Sequence, residues 1–243
     1  MSQQHVRPVA AGLAVAALFA GCGSSAPTPA PSPPASTTAT AAPTTAATTT
    51  TTTAAPAPRR RRPPSPPPGS LPQTHQLPSA HTAQFRRQMA ALWRGVQVGS
   101  VRPALAAFFP EGAYAQVKAI ADPDADYASR LVAEYALDIG AAHALLGTGP
   151  AHARLVRVAV PQGFAHWVPP GVCYNRIGYY EVPNARLIYA QNGRVRSFGV
   201  ASMISWRGVW YVVHLGAVVR SSAGGVVDDP SNGPGTPTPS STC

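Results

Sequence analysis

Acidic residues are scarce in this chain, and lysine is almost absent. The 243 residues include 9 Asp and Glu against 19 Lys and Arg, and every basic residue except Lys118 is arginine. The first acidic residue is Glu111, so positive charge dominates the N-terminal part. A net charge of +10 excludes an acidic surface and favours anionic partners, such as lipid headgroups or a wall polymer.

Sequence motifs that hold metals or cofactors are also missing. The chain has no CxxC pair, no HExxH motif, no glycine-rich phosphate loop and no GxSxG elbow. We therefore expect no metal site and no cofactor, and we assign no catalytic residue. A binding module is favoured over an enzyme.

No hydrophobic run near the N-terminus is long enough to span a membrane as a helix. Residues 9–20 are apolar throughout, but a spanning helix needs about 20 residues. The run fits a signal peptide, residues 1–21. It leads into Phe19-Ala20-Gly21-Cys22, which resembles a bacterial lipobox. The resemblance implies cleavage before Cys22, lipidation of that cysteine and attachment to the extracytoplasmic face of a cell membrane. This location argues against nucleic acid as a partner.

The next segment, residues 22–79, consists mainly of Pro, Thr, Ala and Ser. It lacks the apolar residues that would offset the entropy of ordering, so we predict a disordered tether. A globular domain is predicted over residues 80–220. Residues 221–243, rich in Gly, Pro and Ser, are predicted to form a flexible tail.

The predicted domain changes its hydrophobic period part-way along. Apolar side chains at helical spacing predict a helix over residues 82–98, two short helices before residue 121, and a long helix from Asp122-Pro123-Asp124 to about Leu146. After His152 the period becomes two and predicts strands, with turns at Pro183-Asn184, Asn192-Gly193 and Arg207-Gly208. The fold class is therefore α+β, with helices packed on a C-terminal antiparallel meander.

This order of elements resembles the NTF2-like, cystatin-related fold. The final hairpin, Trp206 to Leu215, is similar to the terminal hairpins of such domains. The resemblance implies a cone with a pocket between helices and sheet, and relatives that are enzymes place acid and base groups there. Asp138 is a candidate for that position. The alternative is a boundary residue that pairs with Arg130 or Arg154.

Counting register through the predicted turns suggests one polar cluster. Arg186 would oppose Gly199, Glu181 would oppose Arg186, and His214 would oppose Ala201. These three side chains would then share one face above a hollow of small residues and could bind a polar or anionic ligand. The alternative is an ordinary solvated sheet face, and a bulge would move His214 to the other side.

The remaining cysteines suggest a disulfide. If Cys22 is acylated, Cys173 and Cys243 are both exported to an oxidising environment, where they can pair. A buried Cys173 with an unpaired Cys243 is the alternative. Taken together, the sequence predicts a lipid-anchored envelope protein with a non-enzymatic binding or interaction domain, whose partner is an anionic wall polymer or an envelope protein. The alternatives are a pocket for a small ligand and an enzyme of the isomerase or hydratase type, with Asp138 or His214 as base.

Overall fold

The structure, a computed structural model, describes residues 73–239. The predicted signal peptide, the predicted lipidation site Cys22, most of the predicted tether and Cys243 lie outside the described residues. Helices occupy the first part of the described range and an antiparallel sheet the second. The predicted α+β class, with helices before the sheet, is confirmed.

The helices begin and end close to the predicted residues. They are α1 (Ala83–Val98), α2 (Val101–Ala104), α3 (Glu111–Val117), α4 (Pro123–Asp126) and α5 (Ala133–Leu145), with a π-helical turn (Tyr127–Val132) between the last two and short 3₁₀ turns at Leu105–Ala107, Pro150–His152, Gln162–Phe164 and Val172–Tyr174. Asp122 caps the long helix by accepting a hydrogen bond from the Ala125 N–H at 2.9 Å. The side chains predicted to face the core from residues 127–146 are all buried.

The sheet has six strands, all paired antiparallel. They are β1 (Arg154–Ala159), β2 (His166–Val168), β3 (Tyr179–Gln191), β4 (Arg194–Trp206), β5 (Val209–His214) and β6 (Asp228–Asn232). The order is β1-β3-β4-β5, with β2 also beside β3 and β6 also beside β4. Strands β2 and β6 were not predicted from the sequence.

The predicted turn at Pro183-Asn184 is wrong, because β3 runs through it. The β3–β4 register is constant from Glu181 opposite Ile204 to Gln191 opposite Arg194. Asn184 has a positive φ of 50°, which the strand accommodates without ending. Pairing along thirteen residues of β4 outweighs the local turn preference of the dipeptide.

The other two predicted turns are confirmed. Asn192-Gly193 and Arg207-Gly208 each have positive φ at both residues, which two-residue hairpin loops of type I′ require. A two-residue loop at Arg207-Gly208 places Trp206 opposite Val209 and Met203 opposite Val212, and both pairings are observed.

The helices pack on one face of the sheet, here called the helix-facing face. Phe198 and Trp206 of β4 lie on it, where their rings approach those of Trp93 and Phe109 from the helical layer. The alternate residues of β4, among them Ser197 and Gly199, lie on the opposite, outer face. Because both faces are covered, almost all of β4 beyond residue 196 is buried.

The outer face is covered by segments from both ends of the described range. At one end, the Trp210 indole N–H donates to the carbonyl of Pro78 at 2.8 Å. At the other end, β6 pairs with β4 within the sheet, and the chain after it returns over the outer face, where Gly235 lies against the guanidinium of Arg186. Pro78 and Gly235 lie outside the predicted domain limits of 80 and 220, so residues beyond both limits contact the sheet. Within residues 73–239, no helix has the length and apolar character to cross a membrane.

Candidate functional site

A small cavity lies between α3, the long helix and the helix-facing face of the sheet. Its volume is about 70 Å³. Its lining residues include the apolar side chains Phe109, Val117, Leu131, Ile204 and Val213 and the polar side chains Tyr114, Lys118, Arg130, Glu181 and His214. Cavities that enclose a drug-sized ligand measure about 300–1,000 Å³. This cavity therefore fits a molecule of a few non-hydrogen atoms, or the end group of a longer one.

Two of the three predicted site residues, Glu181 and His214, line this cavity. They reach it on the helix-facing face, not on the face where the sequence placed them. A bulge in β5 is the reason: Met203 pairs with Val212, but Ser202 pairs with His214, so Val213 is an extra residue. The predicted pairing of His214 with Ala201 is therefore wrong, and the bulge turns the imidazole toward the helices.

Arg186, the third predicted site residue, lies on the outer face, away from the cavity. Its predicted position opposite Gly199 is confirmed, but its predicted pairing with Glu181 is wrong, because Glu181 pairs with Ile204. The Arg186 side chain is 1% exposed and donates to Asp229 at 3.0 Å and to the Ser197 hydroxyl at 2.8 Å. It holds the C-terminal segment on the sheet and is not open to a ligand.

The predicted hollow of small residues exists, but the chain itself fills part of it. A side chain at Gly199 would overlap the carboxylate of Asp228, and one at Gly216 would overlap the carbonyl of Val226. A side chain at Gly235 would overlap the guanidinium of Arg186. These glycines permit the C-terminal segment to approach the sheet, and an open depression of about 500 Å³ remains beside Ala201 and Gly216.

The Glu181 carboxylate lies at the edge of the cavity and is 5% exposed. It accepts a hydrogen bond from the buried Ser202 hydroxyl. On the other side, the His166 Nε2 lies 3.7 Å from its second oxygen, across the β2–β3 pair. Glu181 is thus held in place by neighbours on both sides.

The His214 imidazole is the least engaged polar group of the cavity. It makes no hydrogen bond within residues 73–239. Burial lowers its pKa to about 4, and the nearby charges of Arg130 and Lys118 act in the same direction. At neutral pH the ring is therefore uncharged, with one donor and one acceptor nitrogen.

Lys118 follows α3 and lines the same cavity. Its ammonium donates to the carbonyl of Cys173 at 2.9 Å. Burial lowers the pKa of the amine, and the guanidinium of Arg130 lowers it further, while Asp126 and Glu181 oppose that shift. Lys118 was not among the predicted site residues, although it stands out in the sequence as the only lysine of the chain.

Arg130 completes the polar lining through a fixed network. It donates to Asp126 at 2.6 Å and to the Tyr114 hydroxyl at 2.9 Å, and Tyr114 in turn donates to Asp126. The hydrogen bonds from Arg130 hold the pKa of Asp126 below its usual range. Because Arg130 is already paired, its charge is largely neutralised.

The candidate acid-base residue Asp138 does not face the cavity. Its fully buried carboxylate accepts hydrogen bonds from the Gly216 and Val226 N–H groups, each at 2.9 Å, and from Arg220 at 2.6 Å. The predicted alternative partners, Arg130 and Arg154, are not its partners here. Asp138 fastens the chain between β5 and β6 to α5, which is a structural role.

Cys173 takes part in a disulfide. Both other cysteines lie outside the described residues, so the pairing with Cys243 stays a prediction. The loop around Cys173 lies beside the cavity, since the Ala119 N–H donates to the Tyr174 carbonyl at 2.7 Å. Within residues 73–239, no group of three His, Cys, Asp or Glu side chains is placed to hold a metal ion.

Comparisons with known proteins identified no relative of this chain. No family model, no curated protein and no solved structure matches this chain. The resemblance to the NTF2-like fold therefore stays a prediction, and the function must be argued from the cavity.

Proposed function

We propose that this chain is a lipid-anchored protein of the cell envelope whose domain binds a small polar molecule in the cavity beneath α3. The observation that carries the proposal is the uncharged His214 imidazole, which faces the cavity without a hydrogen-bond partner among residues 73–239. The ring is partly buried, and no group among these residues uses its donor or its acceptor nitrogen. A polar molecule in the cavity can therefore pair with it.

The charges around the cavity favour a neutral or zwitterionic ligand. Lys118 and Glu181 contribute one charge of each sign, and Arg130 is balanced by Asp126. A receptor for a simple anion would leave at least one cation unpaired toward its ligand. The molecule that fits this lining has both donors and acceptors and an apolar part against Leu131 and Ile204.

Binding is favoured over catalysis because the acid-base candidate Asp138 is engaged elsewhere. Its carboxylate holds two backbone N–H groups and Arg220. His214, with a pKa of about 4, is a weak base at neutral pH. Neither of the two bases predicted from the sequence, Asp138 and His214, is therefore suited to an isomerase or hydratase reaction in this cavity.

The envelope location rests on the N-terminal sequence. The apolar run, the lipobox-like Phe19-Ala20-Gly21-Cys22 and the following Pro/Thr-rich segment are typical of a tethered lipoprotein. The net charge of +10 suits a surrounding anionic polymer. Replacing Cys22 with Ser should move the protein from the membrane fraction to the soluble fraction, whereas Cys173→Ser should leave it with the membrane.

Native mass spectrometry on protein recovered from its own membranes tests the binding function. We expect a small mass, beyond the acyl chains, that is released on unfolding. His214→Phe, which fills the cavity with an apolar ring, should lose that mass. The matched control His152→Phe alters an exposed histidine and should retain it. Equal spectra for both variants would contradict the proposal.

A further inference from the structure

The only lysine of the chain lies in the cavity. Elsewhere the chain uses arginine for every positive side chain, including the exposed ones. Arginine serves as well as lysine for a surface charge, but it cannot act as an amine nucleophile. The lysine in the cavity therefore provides an amine nucleophile, which an arginine at the same position would not.

The position of the Lys118 amine is set by its neighbours. Its hydrogen bond of 2.9 Å to the Cys173 carbonyl fixes the end of a half-buried side chain. Lys118 also forms an isolated bridge with Asn175, which attaches its backbone to the loop. Only one of its three N–H donors is used within residues 73–239, so the nitrogen can still turn toward the cavity.

The surroundings lower the pKa of the Lys118 amine. Burial and the guanidinium of Arg130 both lower the pKa of Lys118, so a larger fraction of it is neutral at pH 7 than for an exposed lysine. Glu181 and the uncharged His214 line the same cavity and can accept or donate protons. The remaining space, about 70 Å³, admits only a small reaction partner.

We propose that the cavity takes a small aldehyde or ketone and that Lys118 binds it covalently and reversibly as an imine. The Nζ lone pair forms the C–N bond to the carbonyl carbon. Both amine hydrogens leave with the carbonyl oxygen as water, so no oxidant or reductant is needed. Hydrolysis by water reverses the step. The inference rests on the proposed function, because it names the ligand class of the same cavity.

Reductive trapping tests the imine. The folded protein is incubated at pH 7 with acetaldehyde, acetone or pyruvate, reduced with cyanoborohydride and measured as intact mass. Because Lys118 is the only lysine, peptide mapping needs only to separate its adduct from one at the amino terminus. Lys118→Arg keeps the charge and should lose the side-chain adduct.

A relocated lysine provides the matched control. The double variant Lys118→Arg with Arg102→Lys also has one lysine, but on an exposed residue. The lowered pKa of Lys118 gives it a larger neutral fraction than an exposed lysine has. We therefore expect Lys118 to be trapped by at least one of the three probes faster than the relocated lysine. Its rate should reach half its maximum at a lower pH.

Equal or slower trapping of Lys118 with all three probes would overturn the imine. That failure is distinguishable from failure of the proposed function. If the His214-dependent mass is still released from the Lys118→Arg variant, the cavity binds its ligand without covalent chemistry. Loss of both signals in the unmodified protein would overturn both proposals.

Discussion

The two faces of strand β4 carry polar sites of opposite kinds. On the helix-facing face, Glu181 and His214 border a cavity that retains open space. On the outer face, Arg186 is buried beneath the chain's own C-terminal segment. Both sites combine charged groups with small neighbours, but the guanidinium of Arg186 is already engaged by Asp229 and Ser197 of the same chain. A stripe of glycines in a strand therefore indicates that something packs closely against the sheet. That partner can be another segment of the same chain as well as a ligand.

The largest effect is expected at Asp138, which holds the chain between β5 and β6 against α5. Asp138→Ala removes an acceptor from Arg220 and from two backbone N–H groups between β5 and β6. Breaking a buried ion pair on one side costs about 3–5 kcal/mol. We expect that loss in chemical denaturation. The exposed Asp124→Ala is the control and should cost less than about 1 kcal/mol.

The helix-facing site should make stability depend on acid pH. The pKa of His214 is about 4 in the fold and about 6.5 in an unfolded chain. Between these values the unfolded chain binds a proton that the native state does not, so stability falls as pH decreases from about 6.5 to about 4. The contribution is at most about 3–4 kcal/mol, at about 1.4 kcal/mol per pKa unit.

Replacing the imidazole isolates this contribution. His214→Gln should flatten the dependence of the unfolding free energy on pH between about 4 and 6.5. His152→Gln, at an exposed position, should keep the slope of the unmodified protein. Identical slopes for all three proteins would show that His214 is not buried in its neutral form.

The outer site should be separable from the cavity. Gly199→Ala places a methyl group where the Asp228 carboxylate lies, and such overpacking typically costs about 1–3 kcal/mol. We expect faster amide exchange in β6 and unchanged trapping of Lys118. Gly163→Ala meets no atom within 4 Å and should change neither. Slower trapping in Gly199→Ala would mean that the two faces are coupled.

The smallest effect is expected at the rim of the cavity. The His166 side chain is 47% exposed and lies 3.7 Å from Glu181. Exposed ion pairs contribute roughly 0–1 kcal/mol. His166→Ala should therefore change the unfolding free energy by less than about 1 kcal/mol. A larger loss would show that His166, and not Ser202 alone, keeps Glu181 in place.

Local patterns in the sequence were sufficient for most elements of the domain. The long helix begins at its predicted cap Asp122, and the Asn192-Gly193 and Arg207-Gly208 hairpins have the predicted turns. Each of these depends on contacts between residues close in the chain. The Pro183-Asn184 prediction was wrong because a long neighbouring strand overrode the same kind of signal.

The candidate site was predicted only in part, because faces depend on register. Glu181 and His214 were selected, but their meeting requires β3 to continue without a turn and β5 to contain a bulge. One inserted residue reverses which face a strand presents, and no local pattern marks Val213 as that residue. Lys118 lies in the helical layer, so the register of the strands could not predict that it lines the same cavity.

Periodicity and turn chemistry were enough to predict the class of fold, the hydrophobic stripes of the helices and the hairpins. Which polar side chains share a space depends on tertiary packing. It brought Lys118, Glu181 and His214 together from three distant segments, and it closed the hollow at Gly199 with residues from the end of the chain. The physical reason is that packing acts between residues far apart in sequence, where no local preference can record it.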